Sequence, residues 1–131
     1  MKVIIAGTRD VATQASVDDA MTAFVTEYCP RIYPKGPTGG SLPGIPAEVV
    51  SGGCRGPDQM GEVWAKHRGI PVQLFPADWK LHGKSAGPIR NKRMAEYADA
   101  LVAIWDGSSH GTANMIGLMR RMGKPTIVWR V

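Results

Sequence analysis

The stretch VIIAGTRD, residues 3–10, sets the fold of this 131-residue chain. Val3 to Ala6 are β-branched or small apolar residues and Gly7 ends the run, which is typical of a buried strand in a parallel sheet. Residues 11–28 follow with apolar side chains at helical spacing, and Pro30 ends this predicted helix. The chain therefore opens with a strand, a short polar loop and a helix, which is the repeating unit of an α/β protein.

The same unit recurs along the rest of the chain. Further strands are predicted at about 48–51, 71–75, 101–105 and 126–131, with helices at about 57–68, 88–97 and 112–122. This alternation predicts a single Rossmann-like α/β domain over residues 1–131, a five-stranded parallel sheet with helices on both faces. We expect the strand order 3-2-1-4-5, which places a ligand site where strands one and four part.

Residues from about 30 to 47 interrupt this pattern. Prolines and glycines recur through them, so the segment is predicted to be a loop insertion within the domain. A loop of this length is unusual in a compact domain. It fits a lid or a partner contact, and it fits equally a disordered surface insertion.

Composition limits the classes of function. The net charge of +5 suits anionic ligands and permits nucleic-acid binding, although solubility alone would also explain it. The apolar runs are strand-sized and the first residues lack the pattern of a signal peptide, so we expect no membrane partner. Cys29 and Cys54 form no dense disulfide framework, and we expect a cytoplasmic protein.

Strands one, two and four each end in a small, polar, glycine-rich loop. In a parallel sheet these loops open on one edge, where glycines admit a close ligand, and N–H groups, helix dipoles and arginines favour an anion. One such loop alone could be only a tight turn, whereas three together predict a phosphate site. The predicted ligand-binding residues of these loops are Gly7, Thr8, Arg9, Ser51, Gly52, Gly53, Arg55, Gly56, Asp106, Ser108, Ser109, His110, Gly111 and Thr112.

A fourth segment follows strand three and adds Asp78, Trp79, Arg90 and Asn91 to the predicted site. Trp79 could stack on a base or act as a hydrophobic plug, and Arg90 could reach a phosphate. We predict neither a metal nor another cofactor, since the histidines are scattered and the cysteines lack ligand spacing. The chain also lacks the glycine patterns of P-loop NTPases and dinucleotide dehydrogenases.

Together these motifs resemble the YspA-like branch of the SLOG superfamily. The resemblance rests on Gly7–Asp10, Ser51–Asp58, Ala77–Trp79, Ala86–Asn91 with Met94, and Asp106–Thr112, and it covers nearly the whole chain except Arg31–Pro46. The superfamily includes the Lonely Guy phosphoribohydrolases, the Smf/DprA single-stranded-DNA binders and nucleotide-sensor domains. The resemblance implies a Rossmann-like fold with a nucleotide-like ligand at these loops, and a homo-oligomer, because members often form dimers.

Similarity to the hydrolases implies a catalytic position for Arg90, since Arg90–Met94 is similar to their Arg-Lys-x-x-Met motif. Their catalytic glutamate falls on Met115 here, so a carboxylate from another loop would have to replace it. Asp10, Asp78 and Asp106 are the alternatives, and we name Asp106 with Arg90 as the catalytic pair.

Three functions follow in order of preference. The first is binding of a nucleotide or nucleotide-derived phosphate ligand, by a sensor, a sequestering protein or an enzyme. The second is hydrolysis of the N-glycosidic bond of nucleoside 5′-monophosphates. The third is binding of single-stranded nucleic acid, for which one aromatic residue is a poor platform.

Overall fold

The computed structural model describes residues 1–10, 12–28 and 46–131. The predicted insertion at about 30–47 lies outside the described residues up to position 45. In chain order the elements are β1 (Lys2–Gly7), α1 (Gln14–Tyr28), β2 (Glu48–Ser51), α2 (Pro57–His67), β3 (Val72–Leu74), α3 (Trp79–His82), a 3₁₀ turn (Gly83–Ser85), α4 (Ala86–Tyr97), β4 (Ala100–Trp105), α5 (His110–Arg121) and β5 (Thr126–Arg130).

The five strands form one parallel sheet in the order β3-β2-β1-β4-β5, as predicted. The sequence did not predict α3 or the 3₁₀ turn, because four residues are too short to display a helical period. The Asp78 side chain caps α3 by accepting a hydrogen bond from the Leu81 N–H at 3.0 Å. This cap fixes the start of a helix that begins with Trp79.

Alternate residues of the central strand pack against different helices. Val3 and Ile5 lie in a core built with α1 and α2, whereas Ile4 lies in a second core built with α4 and α5. This period of two follows from the pleat of the strand, and it confirms that helices cover both faces of the sheet. Met115 and Met119 of α5 are fully buried in the second core.

Helix α2 approaches the sheet closely at Gly61. A Cβ placed there would come within 2.7 Å of the Ile5 side chain, so only glycine fits without a shift of the helix. The C-terminal end of α4 is held by Lys124, whose ammonium donates to the carbonyls of Ala95 and Ala98 at 2.6 and 2.7 Å. These contacts fix α2 and α4, which carry Asp58 and Arg90.

No helix in the described part of the chain is both long and apolar enough to cross a membrane.

Candidate functional site

A cavity of about 510 Å³ opens at the carboxyl ends of β1 and β4, where the predicted strand order placed a ligand site. Its walls come from the loops after β1, β2 and β4 and from α2, α4 and α5. The lining residues are Ala6, Gly7, Thr8, Arg9, Asp10, Cys54, Asp58, Arg90, Asn91, Met94, Asp106, Ser109, Gly111, Thr112 and Met115.

The structure brings together about half of the predicted ligand residues in this cavity. Those that line it are Gly7, Thr8, Arg9, Arg90, Asn91, Asp106, Ser109, Gly111 and Thr112. Ser51, Gly52, Gly53, Arg55, Gly56, Ser108 and His110 lie outside the lining, and Asp78 and Trp79 line a second cavity. The predicted residues thus divide between two neighbouring cavities and the loops that support them.

Asp58 is the buried carboxyl of the site. Its Oδ2 accepts hydrogen bonds from the N–H groups of Gly52 at 3.1 Å and Cys54 at 3.4 Å, so it shapes the loop after β2. Burial raises the pKa of Asp58 to about 6, against the lowering effect of these N–H groups and of the Arg90 guanidinium. A carboxyl with this pKa changes charge close to neutral pH.

Arg90 extends from α4 to the loop after β2. Its Nη1 donates to the Gly52 carbonyl at 2.9 Å, and its Nε donates to Asn91 Oδ1 at 3.0 Å. A Cβ on Gly52 would lie 2.5 Å from Arg90 Nη1 and 2.9 Å from Asp58 Oδ2, so any larger residue at this position would displace these two side-chain ends. An arginine carries five N–H donors, and these two oxygen contacts leave others for a ligand.

The Cys54 sulfur lies between two guanidinium groups. Arg9 Nη2 is 3.8 Å from Cys54 Sγ, and Arg90 Nη1 and Nη2 are 3.8 and 3.9 Å from it. A thiol is only a weak acceptor, so it satisfies neither guanidinium strongly. Two cationic groups from different loops therefore meet at one wall of the cavity.

The loops after β1 and β2 meet through Gly56. This glycine has φ of +88°, and a Cβ there would lie 2.6 Å from the Arg9 carbonyl oxygen. Beside this contact, Arg55 forms an ion pair with Asp10 at 3.3 Å, and both side chains are largely exposed. Arg55 therefore lies outside the cavity lining, whereas its partner Asp10 and the neighbouring Arg9 both line the cavity.

Asp106 organises the loop between β4 and α5. Its Oδ1 accepts hydrogen bonds from the N–H groups of Ser108 and Ser109 at 2.8 and 2.9 Å, and from the Thr8 hydroxyl at 3.1 Å. These donors, the Ser108 N–H foremost, lower the pKa of Asp106. Asp106 is thus an ionised carboxylate that holds the loop and also lines the cavity.

The α5 side of the cavity combines a helix start with an apolar floor. Gly111 and Thr112 belong to the first turn of α5, whose N–H groups have no partner within the helix. The Asn91 amide ties α4 to this turn by donating to the Gly111 carbonyl at 3.2 Å. Met115, at the position that the resemblance assigns to a catalytic glutamate, is buried and supplies a thioether in its place.

A second cavity of about 710 Å³ adjoins the first, and Arg90 lines both. Its walls follow β3 and include Phe75, Asp78, Trp79 and Arg93. Trp79 is 56% exposed, so it does not act as a hydrophobic plug over the loop.

Sequence reasoning missed Asp58 as a site residue, although it quoted the motif that contains it. The available signal was an acidic residue in the first turn of a helix, directly after a glycine-rich loop and Pro57. Sequence reasoning also did not name Cys54 among the ligand-binding residues, whereas it lines the cavity in the structure. Over residues 1–10, 12–28 and 46–131, no cluster of side chains is suited to hold a metal ion.

The fold and cavity define a Rossmann-like α/β protein with paired guanidinium groups at the carboxyl edge of a parallel sheet. A model of the YspA, cpYpsA-related SLOG family matches residues 42–82, which span the β2 loop, α2 and β3. The chain is 39% identical over 85 residues to the "Gene 61 protein" of Mycobacterium phage D29, covering 60% of this chain and 68% of the relative. No solved structure matches significantly.

The chain belongs to the YspA, cpYpsA-related SLOG family. This membership indicates a nucleotide-related ligand in general.

Proposed function

We propose that this protein binds a nucleotide or nucleotide-derived phosphate ligand in the cavity at the carboxyl ends of its strands. The observation that carries the proposal is the meeting of Arg9 and Arg90 at one wall of a cavity that the first turn of α5 also lines. Guanidinium groups bind phosphate oxygens in pairs, and the free N–H groups of a helix start favour the same anion.

Carboxylates in the same cavity favour a nucleotide over inorganic phosphate. Asp106 lines the cavity with the two arginines and would repel a bare anion, and Asp10 lines it as the partner of Arg55. The hydroxyl groups of a ribose are natural donors to such carboxylates, as in other nucleotide sites of parallel sheets. A ligand that carries both a phosphate and a sugar can bind the arginines through the phosphate and the carboxylates through its hydroxyl groups.

The cavity volume also suits this ligand class. Small-molecule sites commonly occupy about 300 to 1,000 Å³. The value of about 510 Å³ lies within that range. Met94 and Met115 give the interior an apolar surface that can adapt its shape to a ligand.

Titration calorimetry with nucleoside mono- and diphosphates tests the proposal directly. Arg9→Gln removes one guanidinium and should weaken phosphate binding about tenfold to a hundredfold, the usual effect of losing a charged hydrogen bond. Arg120→Gln, on the exposed last turn of α5, is the matched control and should bind as the parent does. An absence of binding by every phosphate compound, or equal affinities in parent and Arg9→Gln, would refute the proposal.

A second candidate function is hydrolysis of the N-glycosidic bond of a nucleoside 5′-monophosphate, which yields free base and ribose 5-phosphate. Asp58 favours it, because a buried carboxyl lines the same cavity as Arg90. Ionised above a pH of about 6, it would stabilise the positive charge that develops on the ribose. In this reading Asp58 takes the role that Met115 cannot fill.

Chromatographic detection of free base after incubation with each common nucleoside monophosphate tests this second function. We expect base release that Asp58→Asn abolishes while mononucleotide binding persists. If no free base is released from any nucleoside monophosphate, ligand binding is the only function supported.

Two further expectations from the sequence stay predictions. Binding of single-stranded nucleic acid is tested by a gel shift with oligonucleotides at moderate salt, where the electrostatic component is weakened. Homo-oligomer formation is tested by sedimentation of the purified chain.

A further inference from the structure

The second cavity is joined to the first through one residue. Arg90 lines both, so this side chain lies between spaces of about 510 and 710 Å³, and its guanidinium contacts the Gly52 carbonyl and the Cys54 sulfur on the side of the first cavity. Each space alone has the volume of a small-molecule site. A single ligand that occupies both would need a negatively charged middle, since that is where the shared cation lies.

An exposed aromatic ring lies in the second cavity. Trp79 is 56% exposed, although tryptophan is largely buried in most proteins. The backbone that carries it is held by the Asp78 cap at the start of α3. The far edge of the ring reaches Gly87 of α4, where an added Cβ would be 3.5 Å away. An uncovered ring is a surface on which a planar group can stack.

Positive charge continues from the shared wall into the second cavity. Arg93 lies three residues after Arg90, hence on the same face of α4, and it lines the second cavity together with Lys80. The carboxylate in that lining, Asp78, already accepts the Leu81 N–H at 3.0 Å. The cations therefore form a track from Arg9 through Arg90 to Arg93, with the aromatic ring beside its far end.

We propose that the two cavities form one site for a dinucleotide, with its bridging phosphate at Arg90 and its second base on Trp79. This rests on the proposed function, because the first nucleotide occupies the cavity described above. The chain lacks the glycine fingerprint by which dehydrogenases hold a pyrophosphate after the first strand. In the proposed site the bridging phosphate lies instead along the face of α4 that carries Arg90 and Arg93.

The exposed apolar residues near Trp79 raise one alternative, a contact with another protein. Leu74 and Leu81 are 50% and 72% exposed and would suit such a contact. The observations favour the dinucleotide, because the ring lies in a concave space with two arginines and a lysine, and the cationic residues continue to the phosphate wall. Oligonucleotide binding without a dinucleotide preference, or self-association through Trp79, would each contradict the dinucleotide site.

The experiment compares calorimetric affinities for adenosine and guanosine monophosphates with those for the matching dinucleotides, bridged by a phosphodiester or a pyrophosphate. The variants are Trp79→Ala, Trp79→Phe and Leu81→Ala, the last removing exposed apolar surface outside the cavity lining. We expect a dinucleotide to bind at least about tenfold more tightly than its mononucleotide. Trp79→Ala should remove about that factor for the dinucleotide alone, and Trp79→Phe should restore most of it.

The outcomes separate this inference from the proposed function. Mononucleotide binding without any gain from a second nucleotide overturns the inference and leaves the proposed function standing. Loss of the same factor for both ligand types in Trp79→Ala also overturns it, as does tight oligonucleotide binding with no dinucleotide preference. A change of sedimentation in Trp79→Ala with unchanged dinucleotide affinity would assign the ring to self-association. No binding of any nucleotide would refute both proposals.

Discussion

Asp58→Asn should alter the pH dependence of folding stability in a direction fixed by the structure. The folded protein holds this carboxyl 94% buried, which raises its pKa from 3.8 to about 6. Between these two pH values the folded state binds more protons than the unfolded state, so stability falls as pH rises. At about 1.4 kcal/mol for each pH unit, the gap corresponds to about 3 kcal/mol lost between pH 4 and pH 7.

Asparagine keeps the shape of the protonated carboxyl and cannot ionise. Its carbonyl can still accept from the N–H groups of Gly52 and Cys54. The variant should therefore lack this fall in stability and exceed the parent at pH 7 by up to about 3 kcal/mol. Asp106 acts at lower pH and in the opposite direction: its lowered pKa gives stability that is lost only as pH falls below its ordinary value of 3.8.

Urea unfolding measures this difference in free energy between the parent and Asp58→Asn. The transition is monitored by the fluorescence of the four tryptophans at several pH values from 4 to 8. Asp19→Asn, at an exposed carboxylate of α1, controls for the change in net charge. Parallel profiles for parent and Asp58→Asn between pH 4 and pH 7 would refute the reasoning that burial dominates at this carboxyl.

Three further predictions follow from close contacts. Gly52→Ala should displace the shared guanidinium and weaken nucleotide affinity at least about tenfold by calorimetry, whereas Gly117→Ala, on α5 outside both cavity linings, should bind normally. Gly61→Ala should lower the free energy of unfolding by about 1 to 3 kcal/mol through overpacking, whereas Gly117→Ala, with nothing closer than 3.8 Å, should raise it by up to about 1 kcal/mol. Lys124→Met should cost about 1 to 3 kcal/mol in the same urea assay by leaving the last carbonyls of α4 without their donor, and an unchanged midpoint would contradict that role.

The spacing of apolar residues along the chain predicted most of the strands and helices of the fold. The run of residues 3–6 is apolar on both sides, so it had to be a central strand covered by helices on both faces. The regular alternation of elements then limited the sheet to a few parallel topologies, and the observed order is the one expected. The capped helix α3 escaped prediction because its single turn depends on a hydrogen bond from Leu81 to Asp78 rather than on a periodic pattern.

The sequence by itself determined the edge of the sheet at which the candidate site lies, because glycine-rich loops after parallel strands meet at the strands' carboxyl ends. It also determined that Arg90 would enter the site from the start of a helix. Only the tertiary structure decided which residues face the cavity. Asp58, from the first turn of α2, and Cys54, from the preceding loop, line the cavity, whereas Arg55 pairs with Asp10 and lies outside the lining.

The division into two cavities was likewise a tertiary result. Trp79 and Arg90 are eleven residues apart in a segment without regular period, so their common cavity depends on how α3 packs against α4. Local patterns fix which groups a strand or helix can offer, because the backbone sets their spacing. Which of those groups meet depends on long-range packing, and that packing made Arg90 the shared wall of the site.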